Sequence, residues 1–193
     1  MIQTSNLSLE FGGTSLFEDV SVKFLPGNCY GLIGANGAGK STFLKLLSKE
    51  LLPSSGEIIL ESRKRIAVLK QDQFAYDAYS VIETVFIGHS ELYPIYKERN
   101  DLYAKDDLTD AEGERIGELE SEFAELDGYS LEAEASTLLS DLGIPEELHE
   151  KQMSELESGQ KVRTLLAQAL FGNPDILLLD EPTNQLDYVT VLW

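Results

Sequence analysis

The sequence predicts a mixed α/β fold built around a phosphate-binding loop, and three observations support this prediction. Residues 34–41 read Gly-Ala-Asn-Gly-Ala-Gly-Lys-Ser, which is a glycine, four residues and then Gly-Lys-Ser. An apolar, strand-like run at 30–33 precedes the loop and a helix over 42–47 follows it, the context that this motif requires. A second apolar run, at 176–179, is typical of a central parallel strand and ends in an Asp-Glu pair.

The residue types in the loop suit the binding of a nucleoside triphosphate. Glycines let backbone N–H groups approach a phosphate, and the helix that starts near Lys40 points its positive end at the same anion. Lys40 is expected to reach the β- and γ-phosphates, and the Ser41 hydroxyl to ligate Mg²⁺. The alternative is a glycine-rich turn in an unrelated α/β protein. The predicted nucleotide-binding residues are Gly34, Ala35, Asn36, Gly37, Ala38, Gly39, Lys40, Ser41 and Thr42.

The Asp-Glu pair after the apolar run at 176–179 complements the loop. A parallel strand would place Asp180 at its carboxyl end, where such sheets bind ligands. Asp180 is expected to hold Mg²⁺ through water, and Glu181 to polarise the attacking water as a general base. The alternative for both residues is a polar strand end without a catalytic role.

Composition indicates a globular protein with an uneven charge. The 193 residues carry a net charge of −19, and the segment 106–157 holds 18 acidic and only two basic side chains. Such a surface repels nucleic acid, and a solvated helical face is its usual meaning. The single cysteine, Cys29, suits a reducing compartment and is expected to be buried. With no secretion signal or membrane-spanning run in the sequence, we expect a cytoplasmic protein.

The first part of the chain predicts an antiparallel β-layer and the middle part predicts helices. Strands are expected at 2–11, at 20–24, where three apolar residues follow period two, and at 57–60 and 65–69. Capping boxes at 80–83 and 109–112 predict helices that end at Gly88 and Gly128, the second with a coiled-coil seam. Further helices are expected over 92–103, with Pro94 in the first turn, 131–142 and 161–171. The helices between 90 and 128 would form a hairpin that projects as an arm.

Three segments together resemble the ABC-type ATPases: the phosphate loop, Leu156-Glu-Ser-Gly-Gln160, and Ile176-Leu-Leu-Leu-Asp-Glu-Pro-Thr-Asn-Gln-Leu-Asp187. The last segment is similar to the ABC-F branch, twin-cassette proteins that act on the ribosome, and the predicted hairpin resembles that branch's arm. The segments that start at Tyr30, Leu69 and Met153 look closest to its YbiT-like members.

The resemblance implies further roles. Phe11 would stack on adenine, and Gln71, rather than Gln73, would sense Mg²⁺ and the γ-phosphate. Asp187 would lie at the seam of a cassette dimer. The signature residues would grip the γ-phosphate of a partner cassette in trans; they are Leu156, Glu157, Ser158, Gly159 and Gln160.

The sequence departs from the family pattern in two places. Glu157 stands where the signature usually has serine, and a carboxylate beside a phosphate would repel it by about 1 kcal/mol in water and about 4 kcal/mol at a partly buried site. The side chain therefore either turns to solvent or serves a weakened site. The sequence also stops at Trp193, before the family's switch histidine, which suggests a fragment that alone hydrolyses ATP very slowly.

The predicted organisation is a P-loop NTPase core with an inserted helical subdomain. Residues 1–87 would form the first part of the core, 88–155 the helical insertion with its arm at about 90–128, and 156–193 the signature and catalytic strand. The function that the resemblance implies is ATP binding and hydrolysis coupled to the ribosome and translation, with ATP, Mg²⁺ and a second cassette as partners. The alternatives are the ATPase subunit of a membrane transporter and an ATP-binding structural clamp with little turnover.

Overall fold

A computed structural model of the chain describes residues 1–62, 64–69, 72 and 74–180. The fold divides into two compact units, Met1–Val68 and Leu69–Trp193. The first unit contains the antiparallel β-layer and the phosphate loop. The second unit contains the helices that follow residue 80 and the apolar strand at 176–179.

The β-layer of the first unit is organised around its longest strand, β1 (Ile2–Phe11). β2 (Thr14–Val20), β3 (Lys23–Phe24) and β4 (Ser55–Leu60) all pair with β1 in antiparallel fashion. Alternating residues of β1 are buried, as the period-two pattern predicts. A Gly12-Gly13 turn, with both φ angles positive, joins β1 to β2 and brings Phe11 opposite Thr14.

Two predictions about strands in the first unit need correction. The strand expected at 20–24 is divided, since β2 ends at Val20 and β3 begins at Lys23. The residues at 30–33 are not in a strand; among the described residues they have no ladder partner, and Ile33 is 96% exposed. The Tyr30 ring instead folds back against Phe24, and its hydroxyl accepts a hydrogen bond from the Leu25 N–H. Cys29, expected to be buried, is exposed in the same segment.

The first unit also contains α1 (Lys40–Leu47) and β5 (Ile66–Leu69), whose last residue opens the second unit. α1 matches the predicted helix after the loop. Its buried face consists of Phe43, Leu46 and Leu47, and the Phe43 ring meets Phe17 of β2 edge-on, with 5.8 Å between the ring centroids. These contacts fix the start of α1 against the β1–β2 hairpin.

The second unit is a helical body followed by one strand. Its helices are α2 (Val81–Phe86), α3 (Leu92–Tyr103), α4 (Asp110–Glu125), α5 (Gly128–Asp141) and α6 (Ser158–Leu170), and its strand is β6 (Ile176–Leu179). Single 3₁₀ turns lie at Glu146–Leu148 and Met153–Glu155. One apolar core joins these helices, with Phe86, Phe123 and Phe171 fully buried in it.

Local capping explains where the helices begin. The Ser80 hydroxyl accepts a hydrogen bond from the Glu83 N–H at the start of α2, and Thr109 and Glu112 form the predicted reciprocal box at the start of α4. Pro94 lies in the first turn of α3, where its missing N–H costs no helical hydrogen bond. Gly143, with φ +75°, follows the end of α5 as predicted.

The role predicted for Gly128 is wrong. α4 ends at Glu125, Asp127 turns the chain with φ +57°, and Gly128 is the first residue of α5. The reason is the close approach of the next helix: a Cβ on Gly128 would lie 2.6 Å from the Phe123 ring. The predicted seam is otherwise present, with Leu119 and Phe123 fully buried.

Polar contacts between α3 and α4 hold the predicted hairpin together. The Arg99 guanidinium lies 3.9 Å from the centroid of the Phe123 ring, and its side chain is buried. Arg115 of α4 bridges to Glu98 of α3 at 2.8 Å, and Lys105 bonds the Glu112 carboxylate at 2.5 Å. The division into core, insertion and projecting arm stays a prediction.

Candidate nucleotide-binding site

The phosphate loop wraps around the ammonium group of Lys40. Lys40 Nζ donates to the carbonyl oxygens of Gly34 at 3.0 Å and Ala35 at 3.1 Å, and the Ala38 N–H donates to the same Ala35 carbonyl at 3.1 Å. These bonds use two of the three protons that a lysine can donate, so one remains for a ligand. The loop thereby holds a positive charge at the entrance of α1.

Two glycines of the loop adopt backbone angles that favour glycine. Gly37 has φ +80° and Gly39 has φ +91°, both in the left-handed region. The two differ in their surroundings: a Cβ on Gly37 would meet nothing within 4 Å, whereas a Cβ on Gly39 would lie 2.9 Å from Leu16 Cδ2. Gly39 is therefore required for two reasons, backbone angle and packing against β2.

The N-terminus of α1 is left open to an anion. Gly39 occupies the N-cap position, so no side chain caps the first N–H groups, and the first turn contains no acidic residue. Ser41 is exposed and Thr42 is partly buried beside it. Free N–H groups, a lysine and a hydroxyl at one helix start suit a phosphate and its Mg²⁺ ion, because the helix dipole favours negative charge there.

Phe11 has the exposure that a stacking ring needs. Its side chain is 54% exposed at the end of β1, in the hairpin whose second strand packs against α1 through Phe17. It thus belongs to the same compact unit as the phosphate loop.

The residues predicted to complete the catalytic site belong to the second unit, and the structure describes only part of them. Asp180 directly follows β6 and is partly buried. Glu181, Gln71, Gln73 and Asp187 lie outside the described residues, so their roles stay predictions.

The signature segment forms the start of α6. Leu156 is buried, whereas Glu157, Ser158 and Gly159 are exposed. Glu157 is the N-cap residue, and its backbone N–H donates to Gln160 Oε1 at 3.0 Å. The Glu157 side chain is exposed, and its effect on a site shared with a partner cassette stays a prediction. The first turn of α6 otherwise lacks acidic residues, which suits a helix start that faces an anion.

Sequence reasoning missed two contacts around these segments. Leu16 of β2 packs against Gly39, and the buried Lys161 of α6 bonds Asp77 at 2.5 Å. Neither pair has a sequence signal, since the partners are 23 and 84 positions apart and only the fold brings them together.

Two features are absent from the described part of the chain. No group of three or more His, Cys, Asp or Glu side chains there is arranged to hold a metal ion. Within the same residues, every helix is too short or too polar to cross a bilayer.

Comparison with solved structures identifies the class of fold. The ATP-binding subunit of an ABC transporter superposes with a TM-score of 0.73 at 20% sequence identity, over 100% of this chain and 70% of that one. The ATP-binding cassette MJ0796, solved as a dimer in a post-hydrolysis state with ADP and Pi, superposes with a TM-score of 0.66 at 22% identity, over 98% and 78% of the two chains. The predicted P-loop cassette fold is thereby confirmed.

The chain belongs to the ABC transporter family, whose model matches residues 17–184. All 193 residues align at 55% identity with YkpA, an uncharacterized ABC transporter ATP-binding protein of Bacillus subtilis, and at 51% with the probable ATP-binding protein YbiT of Escherichia coli O157:H7. ABC transporter F family member 4 of Arabidopsis thaliana is 33% identical over the whole chain. The resemblance to the F branch and its YbiT-like members is thereby confirmed. The chain spans 36% of YkpA and YbiT and 27% of the Arabidopsis protein.

Proposed function

We propose that this cassette binds Mg-ATP at residues 34–42 and that a longer protein containing it hydrolyses the bound nucleotide. The single observation that supports this most is the bonding of Lys40 Nζ to the Gly34 and Ala35 carbonyls at an uncapped helix start. An ammonium and free N–H groups at one point provide the charge and the donors that a triphosphate needs. Phe11, exposed in the same unit, would stack on adenine.

The reaction proposed is transfer of the γ-phosphoryl group to water. Lys40 would neutralise charge on the phosphates, and the Ser41 hydroxyl and Asp180 would hold Mg²⁺, which supplies further charge neutralisation when bound. Glu181 would orient and polarise the attacking water, and Gln71 would sense the γ-phosphate. Because such catalysis consists mainly of positioning and charge stabilisation, the loop that fixes Lys40 is its central part.

Complete turnover is proposed to need a second cassette. The exposed start of α6, with Ser158, Gly159 and Gln160, would bind the γ-phosphate held by that partner, and Asp187 would lie at the seam. Support comes from MJ0796, whose cassettes form a dimer, and from the length of the relatives, of which this chain spans about a third. We therefore expect the 193-residue chain alone to hydrolyse ATP very slowly.

We further propose that the activity serves the ribosome and translation. The proposal relies on the similarity to YkpA and YbiT and to an F family member. The charge of −19 on this chain does not favour general attraction to RNA, so any contribution of this cassette to ribosome binding would depend on specific contacts.

The translation proposal is tested by ribosome co-sedimentation of a protein that contains this chain and is as long as YkpA or YbiT, called here the relative-length protein. Glu181→Gln should trap ATP, so this variant with ATP is expected to pellet with ribosomes, and Glu181→Gln combined with Lys40→Ala is the matched control. Sedimentation with membranes rather than with ribosomes would contradict the proposal and favour a transporter subunit.

A second candidate function, a clamp that binds ATP but turns it over poorly, is favoured by Glu157. Its carboxylate occurs at the start of α6, where the partner's γ-phosphate would bind. Like charges at such a site repel by about 1–4 kcal/mol, depending on exposure. If this explains slow turnover, Glu157→Ser should raise kcat in the relative-length protein, whereas an unchanged kcat would contradict the clamp.

A further inference from the structure

Two consecutive residues of β2 contact the two ends of the turn that begins α1. Leu16 Cδ2 lies 2.9 Å from the place that a Cβ on Gly39 would take, and the Phe17 ring meets the Phe43 ring edge-on at 5.8 Å. The Phe43 N–H donates to the Gly39 carbonyl at 2.8 Å, which closes this turn. Lys40, whose ammonium group the phosphate loop surrounds, lies within it.

A shift in the pairing of β1 with β2 explains how two neighbouring side chains reach the same helix. Leu9 pairs with Phe17 and Glu10 pairs with Ser15, so the register of this ladder passes over Leu16. Successive side chains of a regular strand point to opposite faces, whereas an extra residue bends the strand and redirects its side chains. The extra residue in β2 therefore allows Leu16 and Phe17 to face α1 together.

The same hairpin carries Phe11, the ring proposed to stack on adenine. Phe11 ends β1 opposite Thr14 and is 54% exposed, whereas Phe43 on α1 is only 8% exposed. Thr14 and Phe17 both belong to β2. One short strand therefore joins the exposed ring at the end of the hairpin to the helical turn that contains Lys40.

We infer that Phe17 is a positioning residue for nucleotide binding, because its contact with Phe43 sets the position of Phe11 relative to the phosphate loop. The inference rests on the proposed function, since it requires one nucleotide to bind through both its base and its phosphates. Two subsites that share one ligand cooperate only when their separation matches that ligand. A hairpin packed against α1 before binding would meet this condition and would lower the ordering cost of binding.

Calorimetric titration of the 193-residue chain with two probes tests the inference. One probe is a non-hydrolysable Mg-ATP analogue, and the other is Mg-tripolyphosphate, which has the phosphates but no base. Phe17→Leu should weaken binding of the ATP analogue by about fivefold or more, the lower end of what stacking on an aromatic side chain contributes per base. It should leave the affinity for tripolyphosphate unchanged, because the phosphate loop keeps all its own residues.

A double-substitution cycle and a rescue separate positioning from a purely structural role. Phe11→Ala should weaken binding of the ATP analogue alone, and its combination with Phe17→Leu should cause no further loss, since both remove the same contribution of the base. Phe17→Tyr keeps the ring and should restore the affinity for the ATP analogue. Phe43→Leu removes the other ring and should behave like Phe17→Leu even if the latter folds poorly.

Phe24→Leu is the matched control in the same unit. The Phe24 ring meets Tyr30 edge-on at 5.1 Å, so this variant should bind both probes like the unsubstituted chain. A loss in Phe24→Leu equal to that in Phe17→Leu would overturn the inference.

Other results would also contradict the positioning role. The inference would be overturned by equal losses of both probes in Phe17→Leu and Phe43→Leu, by unchanged affinity for the ATP analogue in both, or by additive losses for Phe11→Ala and Phe17→Leu. Binding of the ATP analogue but not of tripolyphosphate by the unsubstituted chain would overturn the inference alone, because the phosphate loop would then not bind without the base. Failure of the unsubstituted chain to bind the ATP analogue would overturn the proposed function, and the inference with it.

Discussion

Gly39 and Leu16 approach each other so closely that a Cβ on Gly39 would lie 2.9 Å from Leu16 Cδ2. This contact packs the last residue of the phosphate loop against the Leu16 side chain of β2, and a Cβ on Gly39 would have to displace that side chain. A contact that restricts the loop before binding would lower the entropic cost of binding a ligand.

A pair of glycine substitutions tests this packing. Gly37→Ala should lower the free energy of unfolding by about 1–2 kcal/mol, because its φ of +80° is strained for alanine. Gly39→Ala has the same backbone strain and must also displace Leu16, so it should cost at least about 1 kcal/mol more. Urea denaturation measures both values. Equal losses in the two variants would contradict the packing role of Leu16.

A second glycine pair tests the helical hairpin. Gly117 lies within α4, and a Cβ there would meet nothing within 4 Å, so Gly117→Ala should stabilise the chain by about 0.5–1 kcal/mol. Gly128→Ala should destabilise it by about 1–3 kcal/mol, since the new Cβ would lie 2.6 Å from the Phe123 ring. Thermal unfolding of both variants shows whether each substitution raises or lowers the stability of the chain. Stabilisation by Gly128→Ala would mean that α4 and α5 are further apart than described.

The hairpin should also respond to acid. Hydrogen bonds from Lys105 and Thr109 lower the pKa of Glu112 from 4.5 to about 2. A lowered folded-state pKa gives stability that is present above pH 4.5 and is lost as the pH falls towards 2. We therefore expect the α3–α4 hairpin to weaken over that pH range. The NMR signals of residues 105–112, recorded as a function of pH, measure this loss.

Lys105→Met removes the first of these donors and is the matched variant for the acid titration. It should raise the pKa of Glu112 towards its ordinary value and flatten the loss of stability between pH 4.5 and 2. An identical Glu112 titration in Lys105→Met and in the unsubstituted chain would contradict the assigned cause.

Capping and periodicity predicted much of the helical part from sequence. Thr109 and Glu112 occur at the spacing of a reciprocal box, and the start of α4 follows from it. The buried Leu119 and Phe123 followed from the seam of apolar residues in the same helix. These signals are local, because the interacting residues lie within one or two turns of each other.

Predictions that depended on distant partners were less reliable. The strand expected at 30–33 was inferred from apolar residues, but a strand also needs a hydrogen-bonding neighbour, which sequence periodicity does not supply. The end of α4 was assigned to Gly128 because glycine often follows helices, whereas this glycine allows α5 to approach Phe123. At the site, the loop motif was evident, but Leu16 behind Gly39 and Asp77 beside Lys161 could be found only in the fold.

The central claim is that the loop around Lys40 binds a triphosphate, and isothermal titration calorimetry with a non-hydrolysable Mg-ATP analogue tests it most directly. Lys40→Ala removes a charge-assisted contact of about 1.5–3 kcal/mol and should weaken binding by roughly 10- to 150-fold. Lys45→Ala, in the last turn of the same helix, is the matched control and should bind like the unsubstituted chain. Equal affinity of the Lys40→Ala and Lys45→Ala variants, or no binding by the unsubstituted chain, would contradict the account.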